Sequence, residues 1–279
     1  MYTHLSLFSG IGGLDLAAEM AGITTVGQCE WADFPTKILE KHWPDVPRWR
    51  DIRTLTGDDF YKRTGLRTVD VVSGGFPCQP FSVAGKQGGK NDDRYLWPEM
   101  CRVIRELKPH FVVGENVPGI LRIAAADVIA DLEREGYNAI VFDFEAAAVG
   151  AHHRRERVFF VGERKSGVVE NTGRCRRLKS RVLQKQQRRS QSQRRGKIVA
   201  DTEMRREPGQ LSGWSETRRL SSLRRWAAEP DVGRVAHGIP DRVDRIKALG
   251  NAVVPQQAFP IFKAIMEVLM DEPDHETTD

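Results

Sequence analysis

His4-Leu5-Ser6-Leu7-Phe8-Ser9-Gly10-Ile11-Gly12-Gly13-Leu14-Asp15-Leu16-Ala17-Ala18-Glu19-Met20 is the stretch that decides the fold. His4 to Phe8 is a short apolar run that reads as a buried strand, and Ser9 to Gly13 is a glycine-rich turn. Leu14, Leu16, Ala17, Ala18 and Met20 then recur at helical spacing up to Gly22. Strand, glycine turn and helix in that order let a ligand approach the backbone where the helix starts. The turn is not G-x-G-x-x-G, because position 15 is Asp. It points to a nucleoside-containing cofactor, with a purely structural glycine turn as the competing reading.

Outward from this unit, Thr24 to Cys29 reads as a second strand and Phe34 to His42 as a helix ended by Pro44. Glu30 stands at the end of the second strand, where an acid can hold ribose hydroxyls. Asp51-Ile52 takes the position of a third strand end, within reach of an adenine edge. Val69 to Ser73 and Phe111 to Gly114 are continuous apolar runs of buried-strand length, and Leu96 to Leu107 between them has helical spacing that stops before Pro109. Val128 to Glu135 reads as a helix ended by Gly136, and Ala139 to Phe144 and Val158 to Val161 read as strands. This alternation is the signature of an α/β sheet with crossover helices and nucleotide-type sites at its strand ends. It does not separate a nicotinamide dinucleotide from S-adenosylmethionine.

The chain changes character near Ser166. From there to about Ala236 it is rich in Arg, Gln, Ser and Gly and poor in aliphatic periodicity, and the tract from Gln184 to Arg195 supports no secondary-structure assignment. Between Arg164 and Lys197 thirteen Lys or Arg stand against one acid, Glu170, although the 279-residue chain carries only +5. The rest of the chain is therefore net acidic. A compact basic segment on an acidic body predicts a polyanionic partner, nucleic acid first, with a solvated basic linker as the alternative. Order returns with Gly238-Ile239-Pro240 and an apolar helix pattern from Ala258 to Met270, before an acidic tail from Asp271 to Asp279. Cys29, Cys78, Cys101 and Cys175 form no C-x-x-C pair, which argues against a zinc knuckle or redox motif and for a reducing cytoplasm. No apolar run reaches the roughly 18 residues of a membrane span, and no export leader is expected.

The cofactor classes are separated by Gly74-Gly75-Phe76-Pro77-Cys78-Gln79-Pro80-Phe81-Ser82, which follows the Val69 to Ser73 strand. Together with the glycine turn it closely resembles the DNA cytosine-C5 methyltransferase family, of the bacterial or phage type, whose signature includes a Pro-Cys pair in this setting. The resemblance continues through Glu115-Asn116-Val117, through Arg155-Glu156-Arg157 ahead of Val158 to Gly162, and through Leu249-Gly250-Asn251-Ala252-Val253-Val254-Pro255. Five blocks in the family's order are far more specific than any one of them. His152-His153 departs from the pattern, standing where the family commonly has Pro-Gln.

The resemblance implies an α/β, Rossmann-like S-adenosylmethionine-dependent methyltransferase fold with a mixed sheet and a small inserted target-recognition lobe. Residues 1–163 would form the catalytic and cofactor-binding domain, 164–236 a basic target-recognition region, and 237–279 a segment returning to the catalytic domain. It implies methyl transfer from S-adenosylmethionine to C5 of cytosine in a specific sequence of double-stranded DNA. The chemistry explains the residue types. C5 is a poor nucleophile until a thiolate adds at C6, and Cys is the side chain suited to add and later leave. By resemblance Cys78 is that thiolate, and Glu115 sits at N3 and the exocyclic amine, with a raised pKa expected of it. Arg155 and Arg157 lie near the base carbonyl and the nucleophile, projecting from one face of a strand. Phe8, Gly10 and Gly12 are assigned to the methionine and ribose end of the cofactor, Glu30 to the ribose, Trp31 to adenine stacking and Asp51 with Ile52 to the adenine. Pro77 and Asn251 line the pocket from the other side. No metal is expected, since the two histidines lack a second cluster.

A base inside a duplex cannot present its ring faces to two reagents, so the target nucleotide is expected to rotate out of the helix. Phe81 to Arg94, with Gly85, Gly88, Gly89, Lys86 and Lys90, has the composition of a flap closing over DNA, with Ser82 and Gln87 as candidate contacts. In the basic region Arg and Gln can reach guanine and adenine edges, while most of the arginines meet phosphate. Action as a monomer and a cognate restriction nuclease are further expectations. Two alternatives stay open: an RNA cytosine-C5 methyltransferase of the same fold, and a catalytically impaired DNA-binding homologue. A dehydrogenase is disfavoured, because no hydride-transfer set accompanies the glycine turn.

Overall fold

In the computed structural model, which describes residues 1–77, 95–165 and 241–271, the apolar runs pair into one mixed seven-stranded sheet. In chain order the described elements are β1 (Thr3–Leu7), α1 (Gly13–Met20), β2 (Thr24–Cys29), α2 (Asp33–His42), β3 (Arg48–Trp49), α3 (Gly57–Thr64), β4 (Val71–Gly74), α4 (Trp97–Leu107) and β5 (Phe111–Asn116). They continue as α5 (Ile120–Ile123), α6 (Ala125–Arg134), β6 (Tyr137–Glu145), β7 (Glu156–Arg164), α7 (Arg242–Asn251) and α8 (Pro255–Met270). The strand order is β3-β2-β1-β4-β5-β7-β6. Strands β3, β2, β1, β4 and β5 run parallel, whereas β7 is antiparallel to both β5 and β6. This is the Rossmann-like mixed sheet expected from the sequence.

Strands β4 and β5 read as largely apolar runs because both faces are covered, while β1 and β2 also bury His4, Ser6, Thr25 and Gln28. On one face, α1 and α8 bring Leu14, Ala17, Ala18, Ile261, Phe262 and Ile265 against Val71, Val113 and Phe159. On the other, α4 and α6 bring Met100, Ile104, Val128 and Leu132 against Val72, Val112 and Phe160. Fully burying each of the larger of these side chains contributes about 1.5–3 kcal/mol, so the sheet is held as a sandwich between two helical layers. The carboxy-terminal helix α8 packs directly on α1. Residues far apart in sequence thus close one face of the domain.

Two topological facts place the site. The chain leaves β1 toward β2 on one side and returns to β4 on the other, which opens a crevice at the carboxyl ends of these strands. Antiparallel β7 then sets its first residues beside the last residues of β5, with Glu115 opposite Phe159 and Asn116 opposite Val158. Glu115 therefore lies within β5 and not after it, because pairing with β7 carries the strand past Gly114. Strand β7 likewise begins at Glu156, two residues earlier than its apolar run. Arg155 stands just outside it with φ 36°, so the two arginines do not both belong to the strand as its alternation suggests. Helices α3 and α7 fall outside the helical patterns read from the sequence. Among the described residues no helix is long and apolar enough to cross a membrane. Cys78, the Phe81 to Arg94 loop and most of the basic region lie outside the described residues, as do Gly238 to Pro240 and the acidic tail beyond Asp271.

Candidate active site

The glycine turn after β1 is built on a buried polar network. Asp15, in the first turn of α1, is fully buried and accepts from Ser6 Oγ (2.9 Å) and Gln28 Nε2 (2.8 Å). Arg48 Nε donates in turn to Gln28 Oε1 (2.9 Å), which links β1, α1, β2 and β3 below the turn. Burial pushes the Asp15 carboxyl up to about 6. Above the network, Phe8 and Gly10 hold φ values of 52° and 56°. An added Cβ on Gly10 would meet nothing within 4 Å, so space is open on the side where a ligand would lie. Gly12 is different. With φ +87°, its added Cβ would stand 2.5 Å from the Trp43 ring, so packing alone already requires glycine there.

Acids stand at the ends of the two neighbouring strands. Glu30 accepts from the backbone amides of Gly10 and Ala32, each at 2.8 Å, and so ties the end of β2 to the glycine turn. Asp51 caps the 3₁₀ turn Ile52–Thr54 by accepting from the Arg53 amide at 3.0 Å. The Ile52 side chain is buried in the core, which leaves its backbone as the part able to meet a ligand. Trp31 is 70% exposed beside them and free to stack on a planar group. Two carboxylates, a glycine turn with open space and an exposed indole match the donor and acceptor set of an adenosyl group, so the residues present fit the cofactor expected from the sequence.

At the other end of the crevice the groups are side chains. Arg157 Nε lies 2.9 Å from Glu115 Oε1, with both side chains mostly buried. Burial raises the Glu115 carboxyl above its ordinary value, while the nearby Arg157 and Arg155 charges pull it down without cancelling the rise. Desolvation, followed by the Arg157 charge, lowers Arg155. Asn116 Nδ2 donates to the Phe76 carbonyl at 3.1 Å, and an added Cβ on Gly75 would come within 3.1 Å of Glu115 Oε2. The segment ending at Pro77 is thereby held against Glu115, and Cys78 follows Pro77 in the chain. Asn116 entered the sequence reading only as part of a block; its tie to Phe76 needed the folded arrangement. The described free cysteines are no rivals as nucleophile, since burial pushes Cys29 up to about 12 and Cys101 up to about 11.

A cavity of about 750 Å³ lies between the glycine turn and the arginine block, lined by Ile11, Gly13, His153, Arg155, Arg157 and Val253 among others. It brings together the glycine turn, the arginine block and the Gly-Asn block, three of the five motifs. Arg155 reaches from it to the Gly250 carbonyl (3.0 Å) and the Ala252 carbonyl on either side of Asn251, which is itself exposed at the end of α7. His153 lines the cavity, where the sequence departs from its family pattern. Among the described residues no group of three or more His, Cys, Asp or Glu is placed to hold a metal ion.

Comparison with known proteins adds an independent line. A family model described as C-5 cytosine-specific DNA methylase matches residues 2–210. The Type II methyltransferase M.FnuDI of Fusobacterium nucleatum is 37% identical over 172 residues, covering 60% of this chain and 48% of that one. M.NgoFVII of Neisseria gonorrhoeae is 36% identical over 165 residues, covering 57% of this chain and 43% of that one. Among solved structures, a prophage-encoded E. coli protein described as a DNA modification methyltransferase aligns with a TM-score of 0.52 at 27% identity, over 59% of this chain and 47% of that one. A Spodoptera frugiperda DNMT2 mutant shares the fold, with a TM-score of 0.51 at 22% identity over 62% of this chain and 53% of that one. The chain spans about half the length of the curated relatives it matches.

Proposed function

Since the chain belongs to the C-5 cytosine-specific DNA methylase family, we propose that it methylates C5 of cytosine in a specific sequence of double-stranded DNA. The methyl donor in this reading is S-adenosylmethionine, and Cys78 is the covalent nucleophile. The observation that carries it is the Glu115–Arg157 pair at 2.9 Å, buried beside the Phe76-Pro77 segment that leads into Cys78. Addition of the Cys78 thiolate at C6 breaks the C5–C6 double bond and pushes charge onto the ring. Glu115, whose burial favours the protonated form, meets that charge at N3 with a proton or a strong hydrogen bond. C5 then carries the electron pair that takes a methyl group. Loss of the C5 proton and departure of the thiolate restore the double bond and free Cys78. Arg157 holds Glu115 in place and, with Arg155, supplies positive charge to the base side of the cavity.

On the cofactor side Gly10, Glu30, Trp31, Asp51 and the Ile52 backbone would hold the adenosyl group, with Phe8, Pro77 and Asn251 around it. Bound there, S-adenosylmethionine supplies an electrophilic methyl group. A target base flipped from the duplex, action as a monomer, a cytoplasmic setting and a cognate restriction nuclease belong to the same proposal. The test is bisulfite sequencing of plasmid DNA from cells expressing the chain. Protection of cytosines within one recurring short sequence is expected. A plasmid converted as completely as one from cells lacking the chain overturns the proposal.

A further inference from the structure

One carboxamide ties the arginine turn to a helix that carries no reacting group. Gln257, in the first turn of α8, is fully buried and donates from Nε2 to the carbonyls of Phe144 (2.7 Å) and Arg155 (3.0 Å). Phe144 lies near the end of β6 and Arg155 immediately before β7, so a single side chain joins the facing ends of neighbouring strands. The buried residues that follow it on α8, including Ala258, Ile261 and Ile265, are apolar core. Among the described residues, Gln257 Oε1 and Arg155 Nε are buried without a hydrogen-bond partner. A residue serving only to fill the core would not leave an oxygen orphaned there.

Arg155 itself needs holding. Its φ of 36° is one that a residue with a side chain keeps only when its surroundings over-determine it. Its carbonyl accepts from Gln257 and from the Ala146 amide (3.3 Å), and its guanidinium donates to the Gly250 and Ala252 carbonyls. Two residues further on, Arg157 meets Glu115. We propose that Gln257 is a positioning residue for the base side of the site, fixing the backbone from which Arg155 and Arg157 project and so the place where Arg157 meets Glu115. This rests on the cytosine-C5 methyltransferase reading of that site.

Two variants test it in the full chain. Gln257→Met keeps the length and removes both hydrogen bonds; Gln257→Glu keeps the shape but presents an acceptor to two carbonyl oxygens until it is protonated. Methyl transfer by Gln257→Met is expected to fall about 10- to 100-fold in kcat, as for a small misplacement of catalytic groups, with cooperative melting and DNA affinity retained. The limb of its pH profile governed by Glu115 moves to higher pH, because a displaced Arg157 no longer draws that carboxyl down. Gln257→Glu recovers part of its activity on acidification. Unchanged kcat and an unchanged pH profile in both variants overturn the proposal. So does loss of cooperative melting in both, which would make Gln257 a residue of the fold and not of the site. If the unsubstituted chain transfers no methyl group, the functional reading fails separately. Hydrogen exchange at the amides of residues 150–157 then still reads whether Gln257 holds the turn, with faster exchange in Gln257→Met supporting it and unchanged exchange overturning it.

Discussion

The two ends of the crevice are built on different principles. At the parallel end, one short span of sequence makes nearly the whole surface: the turn after β1, Glu30 after β2 and Asp51 after β3, fixed by backbone conformation and by backbone amides bonded to Glu30. At the antiparallel end, Glu115, Arg155, Arg157, Gly250 and Gln257 come from three distant parts of the chain and are held by side-chain contacts. The first is the proposed nucleoside cradle, of the kind many α/β sheets provide. The second is chemistry assembled by tertiary structure, and it should be more sensitive to single substitutions in catalysis than in stability.

The largest effect should come from the antiparallel end. Glu115→Gln removes the proposed proton source while keeping the shape, and kcat is expected to fall about 10²- to 10³-fold, the loss typical of one charge-stabilising group. Cofactor binding, measured by calorimetry, should change little, because Glu115 is not among the residues proposed to hold the adenosyl group; a matching loss of cofactor affinity would erase the distinction between the two ends. Gly12→Ala should do the reverse. Its left-handed φ and the overlap with Trp43 together cost about 2–4 kcal/mol of stability by denaturant unfolding.

A pH dependence also belongs to the parallel end. His4, fully buried between Thr25 Oγ1 (3.0 Å) and Ser73 Oγ (2.7 Å), is lowered by burial from 6.5 to about 3 and stays neutral in the fold. The unfolded chain binds the proton first, so this contribution to stability is complete above pH 6.5 and is lost as pH falls toward 3. His4→Gln keeps hydrogen-bonding capacity without titrating. At pH 5 it should spare about 2 kcal/mol of the acid destabilisation seen in the unsubstituted protein. Parallel pH-stability curves for the two proteins would contradict this. The smallest effect is expected at Gly10→Ala, about 1–2 kcal/mol, since only the backbone conformation objects there.

The same division governs what the sequence discloses. Thr24 to Cys29 is a strand with the boundaries its composition suggests, and the glycine turn, Glu30 and Asp51 lie where a strand-turn-helix reading places them, because local pattern and tertiary structure agree. Helix α3 escaped notice. It has a single buried residue, Phe60, and is marked instead by its cap, Thr56 accepting from the Asp59 amide at 3.2 Å. Helix α7 carries Val243, Ile246 and Leu249 exposed, so its apolar spacing does not report burial. Gln257 stands just ahead of the apolar helix pattern that starts at Ala258, and only the approach of Phe144 and Arg155 gives its polarity a use. Glu115 was legible as a chemical group through its motif, but its burial and its partner depend on β7 pairing with β5, which no local pattern encodes.

The central claim is a sulfur–carbon bond to the target base, and trapping measures it directly. Duplex DNA carrying 5-fluorocytosine in place of cytosine, incubated with the protein and S-adenosylmethionine, should give a protein–DNA complex that survives denaturation, because fluorine blocks the final loss from C5. Cys78→Ser should bind the same duplex and give none. A duplex that is bound but never trapped by the unsubstituted protein, or one trapped equally by Cys78→Ser, would contradict the account.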